Sequence, residues 1–204
     1  MTTGRAEAFS DGVFAVAITL LIIDVKATGR GTLAQQLLHS WPQYLAYVVS
    51  FLTIGIMWMN HHTILAHVAR VDRPLLVLNL LLLMGIVAIP FPTALVAEHL
   101  QHEGATAAAV TYGLVMIAIS FGFDGLWIYV VTHAPALGAA LPPEALRASI
   151  PGFTGGLIAY VVGTAIAFLS PLAAVIIFGA LAVYYLFEHL PDPSSEAEPG
   201  PADG

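Results

Sequence analysis

Apolar residues run along this chain in long blocks separated by short polar or Pro/Gly-rich joints, and the block lengths set the first expectation. A bilayer core about 30 Å thick needs roughly 20 apolar residues at about 1.5 Å each in a helix. The first block runs from about Phe9 to Ile23 and is closed by Asp24 and Lys26. The second spans about Tyr44 to Trp58 and continues as polar helix through Asn60, His61 and His62 towards Arg70. The third, Leu75 to Val96, contains Pro90 and Pro92, which should kink it or end it early. The fourth covers about Ala107 to Val131. The last apolar stretch, Gly152 to Phe187, is 36 residues long, too many for one span. Ser170-Pro171 in its middle splits it into two helices joined by a tight turn. The pattern predicts an all-α polytopic membrane protein with six transmembrane helices.

Composition agrees with that reading and narrows it. The 204 residues are 58% hydrophobic and only 9% charged, with a mean hydropathy of +0.86, against about 25% charged in soluble domains. Six Lys/Arg against thirteen Asp/Glu leave a net charge of −7. That balance provides no basic surface for a nucleic-acid backbone. The absence of cysteine removes disulfide frameworks, thiolate metal sites and cysteine nucleophiles together. The first block holds Asp11 early, ends in Asp24 and lacks a small-x-small cleavage site, so it reads as a first span and not as a signal peptide. With six spans both termini share a side. Arg5, Arg70, Arg73 and Arg147 fall there and Lys26 and Arg30 opposite, which places both ends in the cytoplasm. Residues 1–190 are expected to form the membrane domain. The Pro/Gly/Ser-rich acidic segment 191–204 has nothing to bury and is expected to be a disordered cytoplasmic tail.

Polar groups inside a span cost several kcal/mol unless paired or hydrated, so they mark either function or a packed network. One cluster opens the first helix, RAEAFSDGVFAVAITLLIID. There Asp11 can accept backbone N–H groups, and Arg5 can pair with it or with an acid of a neighbouring subunit. Further on, Gly12, Val16, Thr19, Leu20 and Ile23 recur at helical spacing on one face. Such a stripe lines a narrow apolar path or meets lipid and other helices; spacing alone supports both. Ala8, Gly12, Ala15 and Ala17 permit close helix approach. A second cluster is Trp58-Met59-Asn60-His61-His62 with His67 beyond it. Adjacent histidines diverge by about 100° on a helix, and the spacing of five between His62 and His67 does not match a zinc pair. Hydrogen bonds to neighbouring helices are the better use, with Asn79 a natural partner. Third, Asp124 in SFGFDGLWIY is expected near the interface beside Trp127 and Tyr129, the alternative being proton or cation coupling. Glu98-His99 and Glu188-His189 sit at helix ends and are expected to be solvated. No nucleophile triad, phosphate loop or dinucleotide fingerprint is visible, so no enzyme is indicated.

Arg5, three residues, then Phe9-Ser10-Asp11 and the aliphatic helix VFAVAITLLIIDV resemble the opening of the endosomal and lysosomal potassium channel family of the transmembrane-protein-175 type. FLTIGIMWMNHH and NLLLLMGIVAIPFPTALV, with Trp58, Asn60, His61, His62, Asn79, Pro90 and Pro92, resemble the same family. The resemblance implies a homotetramer in the plasma membrane whose first helices line a central pore. Val16, Thr19, Leu20 and Ile23 would then be the pore-lining and gating positions, Val16 replacing a family isoleucine. Arg5, Ser10, Asp11, Trp58, Asn60, one or both of His61 and His62, and Asn79 would hold the helices in register. It further implies a potassium-preferring leak channel gated by dewetting, with transient K⁺ near Thr19 and no cofactor. The competing readings are a proton-coupled secondary transporter, which would need inverted repeats that are not visible, and a metal-dependent intramembrane hydrolase, which lacks a third ligand.

Overall fold

The computed structural model describes residues 3–27, 30–139 and 150–187, with side chains for 3–27, 30–139 and 154–186. Arg147, Glu188, His189 and the segment 191–204 lie outside the described residues. Among the described residues the chain forms helices and no strand.

Helix α1 (Thr3–Leu20) continues into a single 3₁₀ turn, Leu21–Asp24, and stops where Val25 becomes extended. Short α2 (Leu33–His39) is fixed by a capping box between Thr32 and Gln35. Helix α3 (Trp41–Ala66) carries Pro42 in its first turn, where a missing N–H costs nothing. Helix α4 (Arg73–Ala88) starts on Asp72, whose carboxylate accepts the Leu75 N–H at 2.9 Å. The third apolar block breaks as its prolines require. Pro90 and Pro92 cannot donate to Ile86 and Ala88, the Ile89 N–H turns back to Ile86 O in a tighter turn, and α5 (Pro90–His99) follows with its own start. Gly104, at φ +100°, supplies the left-handed residue that begins α6 (Ala105–Thr132). Helix α7 (Ala134–Leu137) is one turn. Helices α8 (Ile150–Ile166) and α9 (Pro171–Phe187) form the expected hairpin, in which Ser170 Oγ accepts the Ala173 N–H.

Four segments, Thr3–Asp24, Trp41–Ala66, Arg73–His99 and Ala105–Thr132, are long and apolar enough to cross a membrane; α8 and α9 are shorter apolar helices. Helix α1 includes Thr3 and so extends ahead of the apolar block, and its polar opening turns find partners on α3 and α4. Helix α1 packs on α3 and α4, α6 on α4, α5 and α8, and α9 on α3 and α8. Ile54, Leu82, Ile86, Met116, Ile119, Leu126 and Phe178 fill the centre. Lipid is as apolar as these side chains, so close packing and hydrogen bonds hold the helices together. Gly113 is one such close contact: any Cβ there would overlap the Thr164 side chain of α8.

Candidate functional site

Helix α1 is divided lengthwise. Ala6, Ser10, Phe14, Ala17 and Leu21 are buried against its neighbours. On the opposite side Val16 is 55% exposed, Ile23 60% and Leu20 37%, with Gly12 and Thr19 also exposed. The exposed residues include the stripe that sequence spacing assigns to one face, with Ile23 carried by the 3₁₀ turn; Phe9, Ala15 and Ile22 are exposed as well.

The buried side is held by two polar connections. A one-way chain of hydrogen bonds crosses three helices. Ser10 Oγ donates to Ala6 O at 2.9 Å, so its oxygen is free to accept from Asn79 Nδ2 at 3.0 Å. That orientation of the amide leaves Asn79 Oδ1 to accept from His61 Nε2 at 2.6 Å, which assigns His61 as the Nε2–H tautomer. All three side chains are buried, and the His61 ring leans on Phe14 with centroids 5.4 Å apart. The second connection is a two-rung ladder between α1 and α3 at the partly exposed edge. Trp58 Nε1 donates to Asp11 Oδ1 at 2.8 Å, and His62 Nδ1 pairs with Glu7 at 2.6 Å. Both rungs use the i, i+4 repeat on each helix, and Trp58 stacks on His62.

Six of the eight residues expected in the network are therefore brought together: Ser10, Asp11, Trp58, His61, His62 and Asn79. Both histidines take part, on different sides, because they diverge around the helix. Arg5 is exposed, with no carboxylate within ion-pair distance among the described residues; Asp11 has Trp58 as its partner instead. Asn60 is half-buried and makes no side-chain hydrogen bond among the described residues. Glu7 is the member that sequence reasoning missed. Its signal was the shared i, i+4 spacing of Glu7–Asp11 and Trp58–His62.

On the exposed face Thr19 Oγ1 donates back to Ala15 O and Val16 O, each at 2.9 Å. Its proton is committed to the helix, so its lone pairs are what the hydroxyl offers outward. The group is an acceptor, suited to a cation and unsuited to an anion. Asp124 is half-buried within α6, without a side-chain hydrogen bond or ion pair among the described residues. No group of three His, Asp or Glu side chains among the described residues could hold a metal ion.

Two further polar clusters were not anticipated. Ser50, Thr93 and Tyr112 join α3, α5 and α6, with Ser50 Oγ 2.7 Å from Thr93 Oγ1 and 3.1 Å from Tyr112 Oη. At the start of α4, Asp72 accepts from Tyr129 Oη at 2.7 Å as well as from Leu75 N. Desolvation pushes the Asp72 carboxyl up, but the Leu75 N–H, the Tyr129 hydroxyl and the nearby His133 together outweigh it and hold the carboxyl below its ordinary value.

Residues 5–90, which hold α1, α3 and α4, match the family described as "Endosomal/lysosomal potassium channel TMEM175". The chain is 47% identical over 199 residues to a potassium channel of Streptomyces collinus, covering 96% of this chain and 97% of that one. It is 34% identical over 142 residues to the "Endosomal/lysosomal proton channel TMEM175" of Gallus gallus, covering 63% of this chain and 28% of that protein. Its fold matches the crystal structure of a lysosomal potassium-selective channel TMEM175 homolog from Chamaesiphon minutus with a TM-score of 0.81 at 40% identity, over 90% of this chain and 96% of the other. An all-helical, multi-pass architecture, the polar opening of α1 and near full-length similarity thus lead to one conclusion: the chain belongs to the endosomal/lysosomal potassium channel TMEM175 family.

Proposed function

We propose that this chain is one subunit of a potassium-preferring cation channel in which four copies surround a central axis, each turning the exposed face of α1 towards the ion path. The observation that carries the reading is the division of α1. Polar side chains fasten one side to α3 and α4, while Gly12, Val16, Thr19, Leu20 and Ile23 on the other side stay exposed among the described residues. A helix used only to meet lipid does not need that much anchoring. A helix whose tilt sets the width of an apolar ring does.

Around a four-fold axis, Val16, Leu20 and Ile23 form apolar rings that exclude water when narrow, because an ion there would lose its hydration shell without replacement ligands. Four Thr19 hydroxyls, offering lone pairs, form a weak site for a partly hydrated K⁺. The reading requires no cofactor and no catalytic residue. Six spans, counting α8 and α9, with both termini cytoplasmic in the plasma membrane complete it. The Thr3 Oγ1 bond to Val68 O at 3.2 Å supports this orientation by tying the start of α1 to the α3–α4 joint, which gathers Arg5, Arg70 and Arg73 at one end.

The test is flux in proteoliposomes under imposed K⁺, Na⁺ and H⁺ gradients, with chemical cross-linking to count subunits. The expected result is K⁺ flux well above empty vesicles, slower Na⁺ flux and a cross-linked tetramer. Absence of K⁺ flux, or saturable proton-coupled uptake in its place, overturns the proposal.

A further inference from the structure

Helix α2 serves neither the division of α1 nor the central packing. None of its seven residues is buried. At about 100° per residue, Leu33, Ala34, Leu37 and Leu38 fall on one arc, and Gln35, Gln36 and His39 on the other. Leu33 is 66% exposed, Leu37 44% and Leu38 78%. A helix this short is marginal by itself, yet both ends are tied. Thr32 N donates to Gln35 Oε1 at 2.9 Å, Gln36 Nε2 donates to Gly31 O at 3.1 Å, and Ser40 Oγ donates to Gln36 O at 2.9 Å. The chain holds three leucines rigidly outward without covering them.

Two observations identify the occupant. From the polar arc, His39 lines a cavity of about 300 Å³ whose other walls include the polar Gln43, Glu98, Gln101 and His102. Directly after the Ser40 turn that ends α2, the outer surface of α3 exposes Trp41, Tyr44, Val48 and Phe51 at helical spacing. A Trp and a Tyr followed by aliphatic and aromatic residues describe a surface passing from the headgroup level into the acyl chains. An amphipathic segment at that level lies in the plane of the interface with its apolar arc submerged.

We propose that α2 is an interfacial foot whose Leu33, Leu37 and Leu38 are embedded at the headgroup–acyl boundary of the bilayer, continuous with the lipid-facing surface of α3. The foot fixes the depth and angle at which the loop from α1 enters α3. This inference needs only the membrane-spanning architecture and stands whether or not the channel reading does.

The chain contains no cysteine, so single labels are direct. Full-length protein carrying Leu33→Cys, Leu38→Cys or His39→Cys is labelled with bimane and reconstituted in phosphatidylcholine vesicles. It is then quenched either by aqueous iodide or by a phosphatidylcholine bearing a nitroxide high on its acyl chain. The proposal expects the Leu33 and Leu38 positions to be quenched several-fold more by lipid nitroxide than by iodide, and the His39 position to show the reverse. Equal iodide quenching at all three positions overturns it in favour of a helix standing in water. Protection of the leucine positions from both quenchers, with oxidative cross-linking of Leu38→Cys between copies, overturns it in favour of a subunit contact. K⁺ flux of the same vesicles is recorded separately, so failure here is distinguishable from failure of the channel reading.

Discussion

Replacing Asn79 with leucine removes the middle link of the chain that joins α1, α4 and α3. His61 loses the acceptor 2.6 Å from its Nε2, and its Nδ1 already has no partner among the described residues, so a ring only 1% exposed is left with both nitrogens unbonded. Ser10 loses less, because its hydroxyl still donates to Ala6 O. An unsatisfied buried donor costs about 1–3 kcal/mol, while side-chain hydrogen bonds measured inside membranes average about 0.6 and reach about 1.7 kcal/mol. Burial of His61 away from water puts the expected loss towards the upper end of the membrane range, at about 1.5 kcal/mol. The single change His61→Phe strands Asn79 Oδ1 instead and should cost a comparable amount. The pair His61→Phe with Asn79→Leu strands neither and keeps a ring beside Phe14. The double variant should therefore be more stable than the sum of the singles by about 1 kcal/mol. Equilibrium unfolding in mixed micelles on increasing dodecyl sulfate, followed by helical circular dichroism, gives all four corners of the cycle. Single-variant losses that add to within about 0.3 kcal/mol would refute the argument, since independent sites behave that way.

Other consequences follow from the same geometry. Trp58→Phe keeps the stacking on His62 but deletes the donor to Asp11, and should cost about 1 kcal/mol in the same unfolding assay. Asp11→Asn, whose amide oxygen still accepts that bond, should cost less. Val16→Asn or Ile23→Asn should hydrate the apolar ring and raise K⁺ flux several-fold in proteoliposomes, whereas Met84→Ser on the exposed side of α4 should leave it unchanged; equal effects at all three would argue against an α1 pore. Asp72→Ala should cost about 1 kcal/mol through loss of the α4 cap. Because the Asp72 carboxyl is held below its ordinary value near 3.8, its stabilisation is complete above that value and disappears as pH falls through the lower value of the folded protein. The wild-type and Asp72→Ala unfolding midpoints should therefore converge only in strong acid, and a constant gap between them would contradict the sign.

The chain's periodicity and block lengths alone determined the all-helical class, the main apolar spans, the Pro90 break and the Ser170-Pro171 turn. Those features are local: a backbone in lipid must satisfy its own hydrogen bonds, so the length of an apolar block and the position of a proline decide them without reference to the rest of the molecule. Helical spacing also sorted Gly12, Val16, Thr19, Leu20 and Ile23 onto one side of α1. Partner choice was not local. That both histidines are used, His61 inward to Asn79 and His62 outward to Glu7, depends on the rotation of α3 against α1 and α4. The same rotation leaves Asn60 outside the network, whereas Arg5 misses Asp11 for a local reason, since six residues apart on one helix they point about 120° apart. Ser50, Thr93 and Tyr112 looked like ordinary small or aromatic residues of three separate helices until packing set their hydroxyls within bonding distance. Tertiary structure decided these contacts because a hydrogen bond needs its two atoms about 3 Å apart and aligned, a condition that only the relative placement of helices distant in sequence can meet.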